Sequence, residues 1–189
     1  MPEGAHQDRG QTAHADGEAL RRRDPGAWEA LYERCGRRVR LIAHRILPPR
    51  LDPEAAAQQA WVRAIHRAPK LDPTRDPAPW LATICVNLCM SVLRRDQLAR
   101  AVGLRRGASQ DAPPHRFAGG EGHNPMGSRV REGVRGLSRD QQQIVYLRFA
   151  CEMEYAEIAE VTGVAEATVR KRLSRAYGRL RTTLGGETP

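Results

Sequence analysis

The chain has 189 residues, of which 40% are hydrophobic and only 5% aromatic. That is enough for small helical cores and too little aromatic weight for a large sandwich or barrel. Thirty-one basic residues outnumber 22 acidic ones, for a formal net charge of +9, so the first partner to consider is a polyanion. Lys70 and Lys171 are the only lysines. The rest is arginine, which suits bidentate contacts to phosphate and guanine, although a GC-rich genome alone accounts for most of such a bias. No run of about 18 apolar residues occurs, which excludes a membrane-spanning helix. The N-terminal stretch to Asp24 lacks the apolar centre of a signal peptide, and a cytoplasmic location is expected. Cys35, Cys85, Cys89 and Cys151 include no CxxC and no two pairs with ligand spacing. They read as buried thiols, with no metal and no cofactor implied.

Residues 1–21 are polar and read as a disordered lead. Asp24-Pro25 is a helix start, with proline at the first helical position. Trp28, Leu31, Cys35, Val39, Ile42 and Ile46 then recur at spacings of three and four, predicting about six helical turns that stop at Pro48-Pro49. Asp52-Pro53 repeats the signal, and Ala56, Ala57, Ala60, Trp61, Ala64 and Ile65 carry a second helix toward Pro69. After a turn-rich loop over 70–79, Asp76-Pro77 opens a third helix with Leu81, Ile84, Cys85, Leu88 and Val92 as its stripe, ending at or just beyond Arg94-Arg95. These helices form one domain over 22–98. Residues 99–128 are rich in Gly, Pro, Ser and His and read as a flexible linker. The expected fold class is therefore all-α, two small helical domains joined by that linker, with the second domain over 129–184 and a disordered tail over 185–189.

The second domain opens on Ser138 and Gln141, a capping box before a helix containing Ile144, Val145 and Phe149. A short helix over Tyr155 to Val161, a turn at Thr162-Gly163-Val164 and a long basic helix from Glu166 follow. This is the spacing of a helix-turn-helix, with Ala159 small at the helix crossing, Gly163 in the turn, and Ile158, Val164, Val169 and Leu173 as apolar contacts. In such a motif the second helix enters the major groove with its N-terminal residues nearest the bases. Glu166, Thr168, Arg170 and Lys171 are the expected base readers, and Arg172, Arg175 and Arg179 the phosphate contacts.

Residues 137–184, with Y-x-E-I-A at 155–159 and T-V-x-x-R-L-x-R-A at 168–176, resemble region 4 of the extracytoplasmic-function (ECF) sigma factors of bacterial RNA polymerase, in the sigma-70 family. Residues 51–64 resemble the region 2 segment that binds the polymerase clamp helices, at Asp52, Glu54, Gln58, Trp61 and Arg63. Residues 79–95 resemble the helix that captures the melted promoter strand, at Trp80, Leu81, Ile84, Asn87, Arg94 and Arg95. Trp80, Asn87, Ser91 and Arg94 share a helical face by spacing and, with Arg95, are the expected strand-binding residues. The resemblance implies core RNA polymerase (clamp helices and flap) and promoter DNA as partners, an anti-sigma protein as a potential third, and no catalytic residues. Region 2 would melt the minus-ten element and region 4 read the minus-thirty-five element. Three departures stand out. Ala55 and Gln59 replace usual acidic residues on the clamp-facing surface, Ser91 replaces a usual aspartate, and Glu152 and Glu154 replace a glycine and a hydroxyl cap. The competing reading is a stand-alone helix-turn-helix regulator. An enzyme is disfavoured, because His44 and His66 have no partner at catalytic spacing and no P-loop, GxSxG or HExxH is present. Cys85 and Cys89, one helical turn apart, leave redox sensing conceivable.

Overall fold

The computed structural model describes residues 17–103 and 125–184. The linker's residues 104–124, most of the expected lead and the tail over 185–189 lie outside that description. Every regular element among the described residues is helical. Asp24 accepts a hydrogen bond from the Ala27 N–H at 2.9 Å and starts α1, Pro25–Ile46. Asp52 does the same for Ala55 at 3.0 Å and starts α2, Pro53–Arg67. Asp76 caps α3, Pro77–Ala101, through the Ala78 N–H. Each Asp-Pro pair thus satisfies an orphan donor and pre-sets the first helical φ.

Helical structure is already present before the first Asp-Pro signal. Residues 17–21 are helical, Leu20 is buried, and its carbonyl accepts from the Trp28 indole N–H at 3.1 Å. Gly17 allows this turn to lie against the 71–76 loop, since a Cβ there would stand 2.4 Å from the Pro73 carbonyl oxygen.

The third helix runs about two turns past Arg94-Arg95 and is buried on more than the expected stripe. Ala82, Val86, Cys89, Met90 and Leu93 are buried beside Leu81, Ile84, Cys85 and Leu88. The second face exists because α3 packs on α1 and α2 and also on two helices of the second half. Asp96, in the added turns, is buried and pairs with Arg50 at 2.8 Å and Arg100 at 3.2 Å, the partnering a buried carboxylate requires.

The second half contains α4, Pro125–Arg135, α5, Arg139–Phe149, α6, Tyr155–Thr162, and α7, Glu166–Leu184. Helix α4 begins within the segment that reads as linker. It packs on α7, with Val134 buried. The Ser138–Gln141 capping box is formed in both directions. Contacts across the two halves are specific. Arg38 donates to the Cys151 carbonyl at 2.6 Å, and Arg45 donates to the Ala150 carbonyl at 3.0 Å. Arg45 pairs with Glu152 at 2.8 Å and Arg75 with Glu160 at 3.2 Å. One continuous apolar core runs through both halves. No described helix is long and apolar enough to cross a membrane.

Candidate nucleic-acid and polymerase interfaces

Helices α6 and α7 meet at Gly163, whose φ of 70° closes α6 in the left-handed region, where an L side chain is disfavoured. Ile158, Val169 and Leu173 are fully buried, and Ala159 and Val164 are half-buried, so the apolar contacts expected of a helix-turn-helix are formed. At the entry to α6 the Glu157 carboxylate accepts from the Glu154 N–H at 2.8 Å. Glu154 itself pairs with Arg148 at 2.8 Å. An acidic cap therefore serves where a hydroxyl is usual, favoured by the helix dipole.

The candidate DNA-contacting residues of α7 fall on two flanks of its exposed face. On one flank Glu166 Oε1 accepts from Arg170 Nε at 3.1 Å and Nη2 at 2.5 Å. This holds the guanidinium even further above its ordinary pKa. Lys171 is exposed at the centre. Thr168, Arg172, Arg175 and Arg179 lie by spacing on the other flank. There Arg172 pairs with Asp140 at 3.0 Å and Arg179 donates to Gln141 at 3.3 Å. Arg172, Arg175 and Arg179 line an open groove of about 900 Å³ between α7 and the N-terminal end of α5. Three arginines face Glu132 and Asp140 there, which suits the groove to a phosphate backbone.

On α3, Trp80, Asn87 and Ser91 form a half-exposed strip on a helix otherwise largely buried, and Arg94 and Arg95 extend it into solvent. The Ser91 hydroxyl is turned back onto the Asn87 carbonyl at 2.8 Å. Ser91 and Arg94 also line a crevice whose far wall is Arg135, Arg139 and Gln142 of the second half.

On α2 the five candidate polymerase contacts do not form one stripe. Glu54, Gln58 and Trp61 follow i, i+4, i+7 spacing along one flank, and Arg63 lies on the opposite flank. Ala55, Gln59 and Val62 occupy the exposed strip between them, so the two charge-depleted positions sit at its centre. The Asp52 carboxylate is engaged as a helix cap. Glu54 pairs with His44 across to α1 at 3.0 Å. Trp61 is packed in an aromatic cluster, 5.1 Å from Tyr32 and 6.5 Å edge-on to Trp28. Tyr32 is 53% exposed and belongs to the same surface. It falls outside the regular stripe Trp28–Leu31–Cys35, so periodicity does not reveal it.

All four cysteines are free and buried. The Cys85 thiol donates to the Val39 carbonyl at 3.7 Å. Its hydrogen bond with Cys89, together with burial, raises its pKa. Burial pushes Cys151 up to about 12. No group of three or more His, Cys, Asp or Glu able to hold a metal occurs among the described residues.

Comparison with known proteins places the two halves separately. "Sigma-70 region 2" matches residues 31–99 and "Sigma-70, region 4" matches residues 128–180, together nearly two thirds of the chain. The chain is 24% identical over 159 residues to "RNA polymerase sigma factor CarQ" of Myxococcus xanthus, covering 84% of this chain and 90% of that protein. It is 26% identical over 165 residues to "ECF RNA polymerase sigma factor SigK" of Mycolicibacterium vanbaalenii, covering 86% and 84%. Its fold is similar to that of the sigma factor RpoE solved in complex with the anti-sigma factor NepR from Bartonella quintana. There the TM-score is 0.57 at 21% identity, over 85% of this chain and 98% of that one.

Proposed function

The chain belongs to the sigma-70 family, as an RNA polymerase sigma factor of the ECF type, and from that premise we propose how its surfaces divide promoter recognition. The first half docks on the polymerase clamp through α2, with Glu54, Gln58 and Trp61 on one flank, Arg63 on the other and Asp52 at the helix start. The α3 strip, Trp80, Asn87, Ser91, Arg94 and Arg95, holds the melted minus-ten strand. An indole and an amide suit an unstacked base, and guanidiniums suit its phosphates. The second half, which also meets the polymerase flap, reads the minus-thirty-five element as duplex. Glu166, Thr168, Arg170 and Lys171 face base edges, while Arg172, Arg175 and Arg179 hold phosphates.

The observation that carries this reading is the two-flanked face of α7. A preorganised Glu166–Arg170 pair lies on one side, and three arginines line an open groove on the other. A groove of that charge has sequence-independent chemistry, whereas a paired, aimed guanidinium has the geometry of base recognition. The reading assigns no catalytic step and places the protein in the cytoplasm. It also includes an anti-sigma protein as a regulator, the kind of partner with which the sigma factor RpoE from Bartonella quintana was solved.

The test is capture of purified core polymerase by the full chain without DNA, followed by promoter binding of the assembled holoenzyme across a salt series. Stoichiometric capture is expected, as is a flatter salt dependence for Arg175→Ala on every sequence. A stand-alone regulator would bind DNA without retaining polymerase, and that result would overturn the proposal.

A further inference from the structure

Tyr155, the first residue of α6, lies between the end of α5 and the start of α7. The Arg148 guanidinium carbon lies over its ring at 5.2 Å from the centroid, and that of Arg170 also at 5.2 Å. Arg148 is fixed from the other side, since its Nη1 donates to the Met153 carbonyl and to Glu154, each at 2.8 Å. Arg170 is fixed by Glu166 Oε1, which takes both its Nε and Nη2 donors. In the chain Glu154–Arg148–Tyr155–Arg170–Glu166, two guanidiniums thus share one aromatic ring and each is backed by its own carboxylate. The two carboxylates offset the repulsion of two guanidiniums held on the same ring.

This arrangement matters because Arg170 is 64% exposed. An exposed arginine ordinarily samples many rotamers, and ordering it on binding costs side-chain entropy. Here the ring restrains the plane of the guanidinium and Glu166 occupies its Nε edge. The Nη1 amino group and the second Nη2 proton, the end-on fork, remain for a ligand. An end-on fork matches the O6 and N7 acceptors of guanine in the major groove.

We propose that Tyr155 and Glu166 are positioning residues that hold Arg170 as a reader of one guanine in the upstream promoter element. The proposal rests on the sigma-factor reading above. It sharpens the role of Glu166, which acts through Arg170 and not on a base of its own.

The experiment uses holoenzyme assembled from the full chain and core polymerase. It is bound to a pool of promoter duplexes randomised over about ten base pairs, one helical turn, of the upstream element. Wild type is compared with Arg170→Ala, Tyr155→Leu, Tyr155→Phe and Glu166→Ala, reading the preference for each base at each position. Arg170→Ala is expected to abolish a guanine preference of about tenfold at one position. Tyr155→Leu and Glu166→Ala are each expected to lower that same preference about threefold, with the loss confined to that position. Tyr155→Phe, which keeps the ring, is expected to retain it. Tyr155→Leu with an undiminished preference, a loss spread evenly over all positions, or a Phe variant as impaired as Leu would overturn the proposal. Glu166 is at the surface, so Glu166→Ala tests the same restraint without threatening the core. If Arg170→Ala alters no base preference, Arg170 is no base reader and the proposal falls with it, while polymerase capture by the same variant still reports on the sigma-factor reading.

Discussion

Glu152 is held at φ 58°, in the left-handed region that glycine enters freely and glutamate does not. The strain costs about 1 kcal/mol. What offsets it is an ion pair with Arg45 whose members are 48% and 71% exposed, and such pairs contribute about 0–1 kcal/mol. Strain slightly outweighs the pair, so Glu152→Gly should raise the unfolding free energy by up to about 1 kcal/mol, seen as a higher urea midpoint at unchanged slope. A lowered midpoint would show that Arg45 needs this partner more than its exposure implies. Cys151 gives a pH prediction of definite sign. Burial lifts its thiol from an ordinary 9.0 to about 12, so the folded state binds the proton more tightly than the unfolded one. The resulting stability is fully present below pH 9 and is lost as pH rises toward 12. Thermal unfolding of wild type against Cys151→Val at pH 8 and pH 10.5 should show the wild type losing more stability over that interval. Equal losses would mean that Cys151 is solvated in the native state. The sequence identifies the thiols as structural from their spacing alone. The bond from Arg38 to the Cys151 carbonyl across the two halves is a tertiary fact that no local pattern encodes.

Two glycines in the second half look alike in sequence and differ in physics. Gly163 has φ 70° with nothing within 4 Å of an added Cβ, and Gly178 lies inside α7 with equally open surroundings. Sterics therefore cancel and backbone conformation decides. Gly163→Ala should destabilise by about 1 kcal/mol, whereas Gly178→Ala should stabilise by about 0.5–1 kcal/mol through lost unfolded-state entropy. Chemical denaturation of the two variants checks the contrast, and the same sign for both would refute it. Helix starts were legible wherever a side chain supplies the cap: Asp24, Asp52, Asp76 and Ser138 each mark one. Helix α4 was not legible, because Gly127 and Gly133 dilute its helical signal. It is held by packing on α7, close enough that a Cβ on Gly133 would meet the Leu180 side chain at 2.9 Å. The second buried face of α3 was present in the sequence as Val86, Cys89, Met90 and Leu93, but periodicity cannot say which neighbour covers a face. The helix-turn-helix residues were the most legible, since turn glycine, small residue and basic helix are all local. The division of its basic residues between two flanks follows from spacing, but what each flank faces, Asp140 and Gln141 on one side and Tyr155 on the other, does not.

At the scale of the molecule, the surfaces assigned to the two promoter elements sit in one packed body. A body of about 150 residues is about 40 Å across, while elements centred about 25 base pairs apart are separated by about 85 Å along B-form DNA. The packed arrangement cannot engage both at once. The Arg38–Cys151, Arg45–Ala150, Arg45–Glu152 and Arg75–Glu160 contacts must be released in the promoter complex. Paired fluorophores at surface positions of the two halves should report high transfer in the free chain and low transfer in holoenzyme on a promoter. Unchanged transfer would mean that the halves never part. The first-half surface raises a separate question of strength, because Ala55 and Gln59 leave the exposed strip of α2 without the carboxylates that would attract a basic clamp. If the clamp docks on this surface, its apolar groups Trp61, Tyr32 and Val62 would carry the contact, and polymerase affinity should depend less on salt than charge-driven docking would.

The most direct test of the central claim is reconstituted transcription from a genomic promoter library by core RNA polymerase, with and without the full chain. The account predicts new transcripts that appear only with the chain and begin downstream of two shared sequence elements, the upstream one altered in preference by Arg170→Ala. Transcripts that are identical with and without the chain, or a chain that binds promoter duplex yet never associates with core polymerase, would contradict it.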